Sequence, residues 1–195
     1  MLPLDLFPVD SVLFPDGIVR LKVFETRYID MVSRCLKSEQ PFGLCLIRQG
    51  AEVGKAAEPC KIGTLAHITE WDMPQQGVIN ITVQGGRRFR INDVEVVADQ
   101  SIRAQVSLLD ELPREKIGTG FEGAVSILQK MLTRLRSEQF ALPHRSDDVD
   151  WVANRLAELL PMENIDRQNL LEQDDALLRL QAINDVLQST QWKPD

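Results

Sequence analysis

Side chains able to do chemistry are scattered along this chain, and few stand at a spacing that a reaction needs. Cys60 and His67 are the nearest thiol and imidazole. No further ligand accompanies them at zinc spacing, and no local signature marks a nucleophile pair. The second histidine, His144, is far away in sequence. Glu70 and Asp72 fall on one face of a strand and would form a carboxylate pair for acid–base work. Two exposed charges at a strand end explain them more cheaply. Gly118–Gly123 reads GTGFEG and matches GxGxxG. The dinucleotide reading needs a strand before that motif, then a helix and another parallel strand. A helix pattern follows it, but neither LPREKI before it nor SEQFALPHRSDD beyond reads as a strand, and Glu138 at about the right distance is its only support. A chance match, with glycines that loosen the helix start or serve as a joint, is the simpler reading. Gly50–Lys55 (GAEVGK) is one residue short of a P-loop and is followed by Ala56 instead of Ser or Thr, so a solvated loop is expected. Arg87-Arg88-Phe89-Arg90 is the densest basic patch. It would hold single-stranded nucleic acid by charge and stacking, or form a strand whose arginines face water while Phe89 and Ile91 face inward. Nothing marks a Ser-Lys dyad. No catalytic, cofactor-binding or metal-binding residue is assigned.

Bulk properties narrow the classes. The chain has 195 residues, 22 basic and 29 acidic side chains, and a net charge of −7, which argues against a nucleic-acid binder working by bulk charge and against docking on anionic lipid. Hydrophobic residues at 44% suit a folded globular chain. No run approaches the roughly 20 apolar residues of a membrane span, and Asp5 and Asp10 interrupt any signal-type segment. Cys35, Cys45 and Cys60 are expected to be reduced, buried thiols in a cytoplasmic protein.

These residues must be positioned by two parts that differ in pattern, 1–112 and 113–195. Charge does not separate them, since they carry −3 and −4. In the first, strands are expected at Leu2–Val9, Ile18–Val23, Phe42–Ile47, Ile62–Trp71, Val78–Val83, Phe89–Val97 and Ile102–Leu109, with MPQQG as a turn and Gly85-Gly86 as a hairpin. One helix is expected over Glu25–Lys37, because Tyr28, Met31, Val32, Cys35 and Leu36 share a face. About six or seven strands with one early helix fit an α+β chain that begins with a small antiparallel or mixed β-barrel. In the second part, Phe121, Ala124, Val125, Leu128, Met131, Leu132 and Leu135 repeat at helical spacing. Asp148 or Asp150 is expected to cap a helix that Pro161 stops; Asn164–Glu172 is a short helix, and Asp174 is expected to cap the last one. Four amphipathic helices suggest a small bundle.

Taken together, LPLDLFPVDSVLFPDGIVRLKVFETRYIDMV, FGLCLI, EVG, KIGTLAHI and GVINITVQGGRRFRI resemble, in that order, the N-terminal substrate-recognition domain of the Lon protease family, a PUA-like fold. The opening is its most specific part, pairing LFP with VLFP and ending on Phe24, Glu25, Arg27 and Tyr28 of an FExRY element. Where the family usually has Pro-Gly after Phe, Asp16 is inserted between Pro15 and Gly17. The C-terminal stretch is similar too, through Gln168, Leu171 and Glu172 and the pair Arg179-Leu180. The resemblance implies a free-standing LON/PUA-like β-domain (1–112) with a helical domain (113–195), lacking the ATPase and protease modules that follow it in Lon.

The function implied is non-catalytic recognition of unfolded or specific protein and peptide substrates. The route would be exposed apolar surface or an open strand edge. Phe14, Phe24, Trp71 and Met73, large residues beside turns, are the candidate contacts. A PUA-like nucleic-acid module is the alternative and a small hydrolase a second one; the acidic balance counts against the first, and no constellation supports the second. Oligomeric state is not set by the sequence.

Overall fold

The computed structural model describes residues 1–134 and 143–189, so Leu135 and Glu138 lie outside the described residues. It divides into two compact units, Met1–Glu111 and Leu112–Asp195.

The first unit contains β1 (Leu2–Val9), β2 (Ile18–Val23), α1 (Thr26–Ser38), β3 (Phe42–Gln49), β4 (Glu58–Pro59), β5 (Ile62–Gln75), β6 (Val78–Val96) and β7 (Ile102–Leu108). Pairing runs β1–β7–β6–β5–β3 and returns to β1 through a parallel ladder, with β2 on β6 and β4 on β3. Alternation explains the two cores. Leu4 and Leu6 of β1 join Cys45, Leu65, Phe89, Ile102, Ala104 and Val106 in one cluster. Phe7 and Val9, on the opposite face, join the α1 residues Tyr28, Met31, Val32 and Cys35 in the other. Phe89 fills the first cluster so fully that a Cβ on Gly43 or Gly63 would lie 2.7 Å from its Cζ. Both glycines are there for want of space.

Gly85-Gly86 is not a hairpin: β6 runs unbroken through it. The pair serves close approach instead. A Cβ on Gly85 would meet the Phe14 carbonyl oxygen at 2.1 Å, and one on Gly86 would meet His67 Nε2 at 2.7 Å. The 14–17 turn backs onto this point, with Asp16 N donating to Gly85 O and Gly85 N to Gly17 O, each at 2.8 Å. The inserted Asp16 takes φ 60°, which Asp tolerates better than most residues. The turn expected at MPQQG shrinks to Gln76-Gly77, and β5 extends to Gln75.

The second unit contains α2 (Glu122–Arg134), α3 (Val149–Leu159), α4 (Asn164–Glu172) and α5 (Ala176–Ser189). The Asp148 carboxylate caps α3, accepting from the amides of Asp150 and Trp151. For α5 the cap is Asp175, not Asp174: the helix begins at Ala176, and Asp175 Oδ1 accepts from Leu178 N at 3.0 Å. α3 is the hub, buried around most of its circumference and packed on α2, α4 and α5. Arginines close the helix ends. Arg167 donates to Ala157 O and Leu160 O at the end of α3, and Arg179 donates to Leu170 O and Gln173 O at the end of α4. Among the described residues no helix is long and apolar enough to cross a membrane.

Candidate functional site

An open feature of the first unit is one end of the sheet formed by β2, β6 and β5. β3 covers β5 only where Phe42–Leu44 face Thr64–Ala66. From His67 to Gln75, among the described residues, no strand pairs with the second edge of β5. Unpaired backbone donors and acceptors along a strand are a template for another strand. Pro74, which has no N–H, sits in this stretch, as proline in a sheet must.

Register sorts the side chains. Trp71 pairs with Ile81, and Ile81 with Leu21, so these three share a face. Glu70, Thr82 and Arg20 share the other, as do Asp72, Asn80 and Lys22. The first face is apolar and continues into the buried cluster around Ile79 and Ile81. Trp71 and Met73 emerge from it half uncovered, at 58% and 52% exposure. Phe24, at 51%, lies at the same end of the sheet beside the opposite edge, just beyond the Val23–Ile79 pair. Phe14 departs from its expected role. Its side chain is 0% exposed beneath the turn that backs onto Gly85, and it has no surface to offer a partner.

The remaining chemical motifs resolve into structure. In the glycine-rich turn, Gly120 N donates to Glu122 Oε2 at 2.9 Å, so a carboxylate takes the place a phosphate would need, and among the described residues the only strand-type pairing nearby is an isolated antiparallel bridge, Lys116 to Asp148. The 50–55 loop is pinned by Gly54 N donating to Glu25 Oε2 at 3.2 Å and leads into no helix. That carboxylate also accepts from Arg27, whose Nη1 donates to Gln100 O at 2.6 Å. The FExRY element is thus a clamp between two loops. In the basic patch, Phe89 faces inward as the alternation requires, but Arg88 is buried instead of facing water, and Arg87 Nη2 donates to Leu109 O at 2.9 Å. All three cysteines are buried and unpaired by disulfide. Burial pushes the Cys45 thiol far up, with a smaller contribution from Cys60, and burial also raises Cys35. Among the described residues no group of three or more His, Cys, Asp or Glu is placed to hold a metal.

Two cavities are polar or shallow by comparison. One of about 570 Å³ is floored by Asp5, which pairs with Arg34 at 2.6 Å and Arg103 at 3.5 Å. The other, about 550 Å³, is an apolar groove between α4 and α5 lined by Leu170, Leu178, Ile183 and Val186.

The sequence marked Trp71 and Met73, and an open strand edge as a route, but not that β5 supplies the edge, nor that Glu70 and Asp72 stand along it. Pro74 within a strand pattern was the available signal.

This arrangement has counterparts of known structure. The crystal structure of a Lon N-terminal domain protein from Xanthomonas campestris matches with a TM-score of 0.79 and 31% identity, each chain covered completely. The N-terminal domain of a Mycobacterium avium complex Lon protease matches with a TM-score of 0.65 at 17% identity, over 94% of this chain and 97% of that one, and shows the shared fold. The class is therefore that of Lon N-terminal domains.

Residues 3–189 match the family model of the ATP-dependent protease La (LON) substrate-binding domain, and the chain belongs to that family. It is 25% identical over 189 residues to the Lon protease of Cytophaga hutchinsonii, covering 90% of this chain and 23% of that protein. The Lon protease of Desulfosudis oleivorans is 24% identical over 183 residues, covering 89% and 22%. The chain thus spans less than a quarter of the curated relatives it matches, and the match is to their substrate-binding part.

Proposed function

We propose that this chain is a non-catalytic recognition module that binds unfolded or extended protein segments along the open edge of β5. The observation that carries the reading is the unpaired stretch His67–Gln75 with Trp71 and Met73 beside it. An extended segment laid there gains main-chain hydrogen bonds from the edge and apolar contact from the two side chains. Phe24, also exposed, follows β2 at the same end of the sheet and is a further candidate contact on this reading. On this reading the first unit is the recognition domain and the second a helical companion held by its own buried network. The nucleic-acid alternative loses its main support, since Arg87 and Arg88 are engaged within the unit.

The test is a titration of fluorescently labelled, permanently unfolded polypeptide against the purified protein, with the polypeptide's intact mass followed in parallel. Saturable binding that survives about 0.5 M salt, with the polypeptide uncleaved, is expected, and the Trp71→Ala/Met73→Ala variant should bind about tenfold more weakly. Cleavage, or affinity indifferent to both substitutions, contradicts the proposal.

A further inference from the structure

The face of the open edge opposite Trp71 carries Glu70 and Asp72, both exposed. Among the described residues neither joins an ion pair; Glu70 only accepts from Thr82 Oγ1 at 3.2 Å. The basic residues of this face, Arg20 and Lys22, stand on β2, with β6 between. Two strand spacings put them about 10 Å away, beyond ion-pair reach and comparable to the Debye length in ordinary buffer. The face is therefore polarised: acidic along the open edge, neutral along β6 at Thr82 and Asn80, basic along β2. Trp71, between the two acids in sequence, points to the apolar side.

We infer that the open β5 edge selects extended segments in which basic side chains alternate with apolar ones, an inference that rests on reading this edge as the polypeptide site. A strand added to β5 places alternate residues opposite Glu70 and Asp72 and the intervening ones beside Trp71. Lysine or arginine opposite an unpaired carboxylate gains a cross-strand ion pair, and an acidic residue there is repelled. The same charges oppose a second copy docking β5 to β5 in antiparallel fashion, because carboxylates would face carboxylates. The β2 strand of another copy, Arg20-Leu21-Lys22-Val23, has a matching pattern. That contact is heterologous, however, and would have to continue as a ring or an open chain of molecules. The occupant is a segment of a different polypeptide.

The experiment uses three labelled ten-residue peptides with identical alternating leucine and valine, and lysine, serine or glutamate at the intervening positions. The lysine peptide should bind roughly tenfold tighter than the serine peptide, about 1.4 kcal/mol, and the glutamate peptide more weakly than either. In the Glu70→Gln/Asp72→Asn variant, lysine and serine peptides should agree within twofold. Equal binding of all three to the unaltered protein overturns the charge selectivity while leaving the edge as a polypeptide site. Binding of none overturns the edge reading itself. A lysine preference that survives the double substitution overturns the assignment to Glu70 and Asp72. Concentration-dependent self-association that the same substitution abolishes makes the occupant a second copy and overturns the inference.

Discussion

Replacing Arg179 by methionine removes a buried, multiply bonded cation of the helical unit. Its guanidinium is 1% exposed and donates to Asp150 Oδ1 at 2.5 Å, Asn154 Oδ1 at 2.8 Å, Leu170 O at 2.8 Å and Gln173 O at 2.5 Å. It therefore ties α3 to α5 and closes the end of α4. Hydrogen bonds to charged groups contribute about 1.5–3 kcal/mol each, but four bonds from one group are not additive. Methionine fills much of the volume, so little of the cost comes from a cavity. What remains is an uncompensated Asp150 and a buried Asn154 acceptor. Asp150 is 27% exposed and recovers some hydration, which places the total at the lower end of the roughly 3–5 kcal/mol typical of breaking a buried ion pair. Denaturant unfolding followed by far-ultraviolet circular dichroism at the helical band should show Arg179→Met destabilised by about 3 kcal/mol. Arg179→Lys, which keeps the charge but not the planar fork, should fall between. A loss below about 1 kcal/mol for Arg179→Met would refute the view that this network holds the helices together.

Gly43→Ala should destabilise by about 1–3 kcal/mol, because the added methyl meets Leu6 Cδ2 at 2.6 Å and Phe89 Cζ at 2.7 Å. Combining it with Phe89→Leu, which removes the obstructing ring carbon, should cost less than the sum of the single changes; strict additivity in urea melts would contradict this packing. Stability should also fall in alkali. Cys35 and Cys45 are raised by burial above the ordinary thiol value of 9.0, and Tyr28 above 10.0 by burial in spite of Arg27. The unfolded chain therefore releases these protons first, and the stability they contribute is complete below about pH 9 and lost as pH rises further. Each group contributes a slope of up to about 1.4 kcal/mol per pH unit. Urea midpoints at pH 8, 9 and 10 should decline, and Cys45→Ala should decline less steeply; parallel pH profiles would count against the assignment to Cys45.

The elements set by local pattern were legible to the residue. β1, β2 and α4 keep the bounds their pattern requires: β1 buries side chains on both faces, and β2 gives way to the helix after Val23. What was not legible depends on distant chain. Gly85-Gly86 has the letters of a hairpin, and only the arrival of the Phe14 carbonyl reveals that the pair exists for clearance. Phe14 itself, an aromatic beside a turn, could stand outside or inside, and the packing of that turn decides it. The open edge of β5 follows from where β3 stops covering it, a length mismatch between strands far apart in sequence. Arg179 and Gln168 stood out through family resemblance alone; their burial, at 1% and 2% exposure, shows that these positions serve the helical core.

Backbone amide exchange, with and without a bound unfolded polypeptide, tests the central claim most directly. Residues 67–75 of β5 should exchange rapidly in the free protein at alternate, outward-facing amides and become protected on binding, while β7 and α3 are unchanged. Protection confined to the α4–α5 groove, or to the polar cavity around Asp5, with β5 unaffected, would contradict the account.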